Sequence, residues 1–161
     1  MAKLHVQWAE YHHKIEQLAL QIHHSGWQFE QILCLARGGL RVGDILSRIF
    51  GRPLAVLCVS SYDQSGNRGE LKFSASVSMT SSYLAKHLLV VDDLVDSGET
   101  LAQTLTWLRN SPVIMPQPEL RTAVIWYKSS SQIVPDYYVD YLTDHPWIVQ
   151  PFEIYENFKL D

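Results

Sequence analysis

The sequence predicts an α/β fold with a mostly parallel, twisted sheet flanked by helices, and two stretches carry that prediction. Residues 31–50 and 88–108 each read as a buried strand, a short polar loop and a helix. Their strands, Gln31 to Ala36 (QILCLA) and Leu88 to Val91 (LLVV), are short, largely apolar runs of the kind covered on both faces. Composition agrees. At 161 residues the chain is long enough for one domain with a real core, and 47% hydrophobic with 19% charged residues is ordinary for a globular protein. The net charge of −4 argues against bulk affinity for nucleic acid. No apolar run approaches membrane-spanning length, and the N-terminus lacks the apolar core of a signal peptide. Cys34 and Cys58 sit in apolar strand-like runs and read as buried thiols, so a cytoplasmic location is expected.

In chain order, Trp8, Tyr11, Ile15, Leu18 and Ile22 alternate spacings of three and four, which predicts an amphipathic helix from about Val6 to His24, with Gly26 just past its end. His12, His13, His23 and His24 come as adjacent pairs. Adjacent helical residues do not share a face, so solvated helix surface is the better reading than a metal site. After the strand at 31–36 come Arg37-Gly38-Gly39 and a helix of roughly Val42 to Phe50, stopped by Gly51. Two glycines allow backbone amides to form an anion nest and Arg37 adds a charged fork, although in isolation such a tripeptide is usually only a turn. Leu54 to Val59 is another strand. Ser60 to Met79 is polar, with Gly66 and Gly69, and reads either as a mobile lid or as a surface hairpin through Ser65-Gly66-Asn67.

The stretch His87 to Leu101, HLLVVDDLVDSGETL, is the centre of the chain. Asp92 and Asp93 place adjacent carboxylates at the C-terminal end of a buried strand, where ligands of open α/β sheets bind. Asp96-Ser97-Gly98-Glu99-Thr100 then runs into a helix N-terminus, whose free N–H groups and dipole favour a phosphate. Gly98 allows close approach, and Ser97 and Thr100 add hydroxyl donors. Carboxylates beside a phosphate suit ribose hydroxyls, Mg²⁺, or both. The plainer alternative is a βα turn with capping Ser and Asp residues. Leu101, Leu105 and Leu108 continue an apolar helical face, and Ser111 to Pro118 holds three prolines and must be a connection. Arg121 to Tyr127 is the next buried strand, with Lys128 at its end. On spacing alone, that lysine is solvated surface. Val139 and its aromatic neighbours predict a short edge strand, His145-Pro146 a turn, and Trp147 to Val149 a further short strand.

Two hydrophobic residues, two acids, two variable residues, an acid and a Ser/Thr/Gly loop closely resemble the phosphoribosyl diphosphate (PRPP) motif of type I phosphoribosyltransferases. The segment LARGGLRVGDILSRIFGRPL is similar to the xanthine-guanine and related 6-oxopurine members. The resemblance runs from Ile32 to Glu153. It implies a PRPP site of Arg37, Gly38, Gly39, Asp92, Asp93, Asp96, Ser97, Gly98, Glu99 and Thr100, in which Asp96 and Arg37 are catalytic. It also implies Mg²⁺ held by Asp92, Asp93 and Glu153, in part through water. The purine would be held by Lys128, donating to O6, by Trp147, stacking on the ring, and by backbone groups of Ile148. Trp147 could equally be an ordinary core aromatic. Members often carry a non-proline cis peptide in the first loop, at 37–38 here. The domain would divide into a core of about 27–130, a lid hairpin of about 60–80 over the active site and a small C-terminal hood of about 131–161. The resemblance further implies PRPP and a purine base as partners, and a homodimer or homotetramer.

The implied reaction moves the 5-phosphoribosyl group to N9 of guanine, xanthine or hypoxanthine in purine salvage. A PRPP- or nucleotide-sensing regulator of the same fold, or an enzyme for another base, are the alternatives. Val149 stands where similar purine enzymes carry an acid, which leaves xanthine and hypoxanthine unranked.

Overall fold

The computed structural model describes residues 1–62 and 68–161. The main sheet contains β2 (Gln31–Ala36), β3 (Leu54–Tyr62), β4 (Arg68–Phe73), β5 (His87–Val91), β6 (Leu94–Val95), β7 (Glu119–Lys128) and β8 (Tyr137–Leu142). A short strand, β1 (Lys3–His5), precedes them, and β9 (Trp147–Val149) follows. The helices are α1 (Trp8–His24), α2 (Leu40–Phe50) and α3 (Glu99–Asn110), and the chain closes with a 3-10 helix, Glu153–Asn157. The strand order is β4-β3-β2-β5-β7-β6, with β8 also paired to β7. Every pairing in this sheet is parallel except β3 with β4, an antiparallel hairpin. The α/β reading therefore holds. The turn expected at Ser65-Gly66-Asn67 lies outside the described residues.

Strand alternation divides the core by face. Ile32, Leu89, Val91, Ala123 and Ile125 pack with Tyr11, Ile15, Leu18 and Ile22 of α1 and with Val42 and Leu46 of α2. Leu33, Leu35, Leu88, Val90 and Val124 face the other way, toward Leu101, Leu105 and Leu108 of α3. All four histidines of the paired positions on α1 are exposed, as expected. Among the described residues, no helix is long and apolar enough to cross a membrane.

The structure differs from the sequence reading at several places. α1 begins at Trp8, because residues 3–5 are drawn into a strand parallel to β9, with Leu4 opposite Ile148. Three residues are too few for periodicity to reveal a strand, and its partner lies at the other end of the chain. β8, within the 131–161 stretch, adds a strand to the main sheet, while β9 and β1 form a separate small one. Cys34 is buried, and burial pushes its thiol up to about 12. Cys58, expected to be buried, is exposed, because it lies on the wall of an open surface cleft with Ala36, Arg37 and Lys72.

α2 presses closely on β2 at Gly43. A Cβ there would lie 2.5 Å from Cys34 Cβ, an atom fixed to a buried strand. Alanine favours a helix over glycine by about 1 kcal/mol, but overpacking a tight core costs about 1–3 kcal/mol. The second term should win. Gly43→Ala is expected to lower Tm in a thermal melt, by about 2–4 °C for each kcal/mol lost. An unchanged or higher Tm would show that the α2–β2 contact can open.

Candidate functional site

The C-terminal ends of β2 and β5 open into a cleft of about 370 Å³. Arg37 and Gly38 line it from one side, Asp92 and Asp93 from the centre, and Asp96, Ser97, Gly98 and Thr100 from the other. Val59 and Ser61, from the β3 arm of the hairpin, complete the wall. Two sequence motifs separated by about fifty residues thus form one surface, and they touch. A Cβ on Gly38 would run into the Asp93 carboxylate, and one on Gly39 would run into the carbonyls of Val91 and Leu35.

The first loop binds itself more tightly than the anion-nest reading supposed. The Gly39 N–H donates to Leu35 O at 2.8 Å and the Leu40 N–H to Arg37 O at 3.0 Å. Gly39 therefore serves close packing, and its amide is already engaged. The cis peptide expected at 37–38 is found one bond earlier, at Ala36–Arg37.

Asp92 and Asp93 occupy an interruption between β5 and β6. The pairing with β7 keeps the same register across it: Val91 faces Ala123 and Leu94 faces Trp126. The Asp92 N–H donates to Ala123 O, and Asp93 O accepts from Ile125 and Trp126. Asp92 Oδ1 accepts the Asp93 N–H at 2.9 Å. Burial, then the charge of Asp93, push the Asp92 carboxyl well above its ordinary range. A cation between these groups would relieve both effects, so the pair suits Mg²⁺ shared with substrate oxygens, which usually needs only one or two carboxylates.

In the second loop Gly98 adopts φ 80°, and its α-carbon packs against Ser131 and Ile133. Ser97 Oγ accepts the Glu99 N–H at 3.3 Å as a turn contact, the helix N-cap being Gly98 with no side-chain cap, and Ser97 lines the cleft. Glu99 is exposed on α3 and accepts from Gln103, outside the cleft lining.

Lys128 is not solvated surface. Its side chain is 6% exposed, and Nζ lies 3.1 Å from Asp96 Oδ2, whose own side chain is 61% exposed. Ser130 Oγ donates to the Asp96 main-chain O at 3.2 Å. The turn at His145-Pro146 approaches the same place, where Ser129 Oγ meets His145 Nε2 at 3.2 Å. Trp147 follows on β9 and is 52% exposed, so it is no core aromatic, whereas Ile148 is buried. Glu153 lies apart from the first cleft. With Arg41 and Gln150 it lines a neighbouring cleft that shares Arg37 and Gly38, and its Oε1 accepts the Gln150 N–H at 2.9 Å. The sequence offered no signal for Ser130, Gln150 or Tyr11, whose positions near the acids come only from tertiary packing.

An α/β sheet that gathers an acid pair and two glycine loops at its strand ends places a ligand cleft where open α/β sheets bind theirs. A sequence profile of the phosphoribosyl transferase domain matches residues 7–157, and the chain belongs to that family. Purine phosphoribosyltransferase from Pyrococcus horikoshii is 27% identical, with 100% of this chain and 98% of that one covered at a TM-score of 0.75. Xanthine-guanine-hypoxanthine phosphoribosyltransferase from Helicobacter pylori shares the fold at 21% identity, 96% and 97% coverage and a TM-score of 0.77. So does a hypothetical protein from Neisseria gonorrhoeae crystallised with ppGpp, at 21% identity, 94% and 89% coverage and 0.73.

The Asp92 carboxyl, with its raised proton affinity, sets a stability test. A folded-state shift upward means that the folded chain holds this proton more tightly than the unfolded chain. The group is then harmless at low pH and increasingly destabilising as pH rises above its ordinary value of 3.8. Asp92→Asn should therefore raise Tm at pH 7, with the gain shrinking toward pH 4. A gain that is equal at both pH values would remove the carboxyl's ionisation as its source.

Proposed function

We propose that this protein transfers the 5-phosphoribosyl group from PRPP to N9 of a 6-oxopurine, with release of pyrophosphate. The observation that carries this reading is the buried Lys128 held against Asp96 beside the cleft shared by Asp92, Asp93 and Arg37. A donor and an acceptor side by side are the complement of the O6 and N7–H edge of guanine, xanthine or hypoxanthine. Adenine presents an amino group where Lys128 needs an acceptor. Trp147, exposed on the hood strand, is available to stack on the ring.

The chemistry follows from these positions. PRPP lies with its 5-phosphate on the 96–100 loop, its ribose hydroxyls toward Asp92 and Asp93, and its pyrophosphate toward Arg37 and Gly38. Asp92 and Asp93, with Glu153 through water, would hold Mg²⁺, which would supply charge neutralisation for the leaving group. The N9 lone pair forms a bond to C1 of the ribose as the C1–oxygen bond to pyrophosphate breaks. Lys128 holds O6, and Asp96 turns from Lys128 to take the proton from N7. Arg37 stabilises the charge that develops on pyrophosphate. The β3–β4 hairpin, whose residues Val59 and Ser61 line the cleft, closes over it and keeps water from the cationic sugar.

A second reading, a nucleotide-sensing regulator, draws on the ppGpp bound to the gonococcal relative. One assay separates the two. Incubation with PRPP, Mg²⁺ and each purine base should yield a nucleoside monophosphate detectable by chromatography with the 6-oxopurines and not with adenine. Binding of PRPP or ppGpp without product from any base would favour the sensor.

Asp96→Asn should lower kcat about 10²–10⁴-fold, and Lys128→Ala should erode the preference for 6-oxopurines over adenine in kcat/KM. A kcat near wild type in the first variant would reduce Asp96 to a partner of Lys128. An unchanged preference in the second would remove Lys128 from base recognition.

A further inference from the structure

Gln150, one residue past β9, is buried and belongs to none of the roles above. Its Nε2 donates to Asp93 Oδ2 in a short hydrogen bond, and its backbone N–H donates to Glu153 Oε1 at 2.9 Å. One residue thus touches two of the three carboxylates assigned to Mg²⁺. The amide orientation is determined, because the flipped amide would set oxygen against a carboxylate oxygen. In this orientation Gln150 Oε1 is buried without a partner among the described residues, as is the Oη of Tyr11. A buried acceptor without a partner destabilises a fold. A glutamine kept there at that penalty points to what its other end does, which is to hold one oxygen of Asp93.

We propose that Gln150 is a positioning residue, which fixes the Asp93 carboxylate for the ribose hydroxyls of PRPP. The proposal rests on the phosphoribosyl-transfer reading above. The Asp93 carboxylate is packed into the space a Gly38 side chain would fill, beside the Asp92 carboxyl, and the Gln150 amide donates to it from the other strand segment. Without the Gln150 amide the carboxylate would rotate toward Asp92 or Gly38, and the binding geometry would have to be restored at the expense of affinity. The Gln150–Asp93 hydrogen bond also ties the β9 segment, with Trp147, to the acid pair.

The test is titration calorimetry of Mg²⁺-PRPP with wild type, Gln150→Met, Asp93→Ala and the double variant, each first shown to be folded by a thermal melt. Met keeps the length of Gln and lacks its donor. Wild type should bind. Gln150→Met should bind roughly 10- to 100-fold more weakly, the range for a hydrogen bond to a charged group, and it should have no further effect in the Asp93→Ala background. If Gln150→Met does not fold, Gln150→Glu, which keeps size and polarity and faces Asp93 with an acceptor only, should show the same loss. Affinity within twofold of wild type in a folded variant would overturn the positioning role. So would an equal loss in the presence and absence of the Asp93 carboxylate, since a merely structural residue would behave that way. Absence of PRPP binding in wild type would instead overturn the functional reading, and the role of Gln150 with it.

Discussion

The continuity of β7 is the constraint on which the site depends. β5 ends at Val91 and β6 begins at Leu94, yet both pair with one unbroken strand in one register. β7 therefore satisfies the main chain of both intervening acids: the Asp92 N–H reaches Ala123 O, and Asp93 O receives the Ile125 and Trp126 N–H groups. Backbone groups of buried segments must be paired somewhere. Because β7 does this work, the Asp92 and Asp93 side chains are released to face the cleft. Trp126 and Ile125, both fully buried, anchor the template.

Around that gap the structure accumulates terms that oppose folding in the absence of ligand. Asp92 is crowded by burial and by Asp93. Lys128 is nearly enclosed, with the exposed Asp96 as its ionic partner. Because Asp96 is largely exposed, solvent screens the pair and it is worth less than a fully buried one, yet it remains the ionic partner of the enclosed lysine. Such groups resemble half-assembled contacts. Under the proposed function, a cation and sugar hydroxyls would complete the acid pair, and an O6/N7–H edge would complete the lysine–aspartate pair. The packed α1–α2 and α3 layers supply the stability that these sites draw down.

The parts of the fold that were legible are those whose pattern is local. QILCLA and LLVV announce buried strands because their neighbours on both faces are apolar, and DSGET announces a loop running into a helix because its Gly sits at the helix start. β1 was not legible, since three residues at 3–5 acquire strand geometry only from Trp147 to Val149. Cys58 was misread for a related reason: apolar flanking residues do not say which part of a strand lines an open cleft. The Arg37-Gly38-Gly39 loop was placed correctly in space but for an incomplete reason. Its glycines are needed because Asp93 and two carbonyls occupy the space of a side chain, whereas the Gly39 amide is bonded internally. Lys128 shows the converse. Local pattern favoured solvent, and only the fold shows the burial that makes the residue informative.

The segment after Lys128 connects the two ends of the site. Ser130 holds the Asp96 main chain, the Gln132 N–H donates to Ser97 O at 2.9 Å, and Ser131 and Ile133 lie where a side chain on Gly98 would go. This strap therefore braces the phosphate loop with the residues that follow the base-facing lysine. Gly98 must be glycine twice over, for its φ of 80° and for the strap packed against it. A side chain there would strain the loop and also push on Ser131 and Ile133, and so on the segment that carries Lys128 and Ser130 against Asp96. Phosphate binding and base recognition consequently share one mechanical element. Under the proposed function, a substrate phosphate that settles the 96–100 loop would also settle the lysine–aspartate pair, and a sugar-phosphate bound first would present the base with a completed edge rather than a loose one.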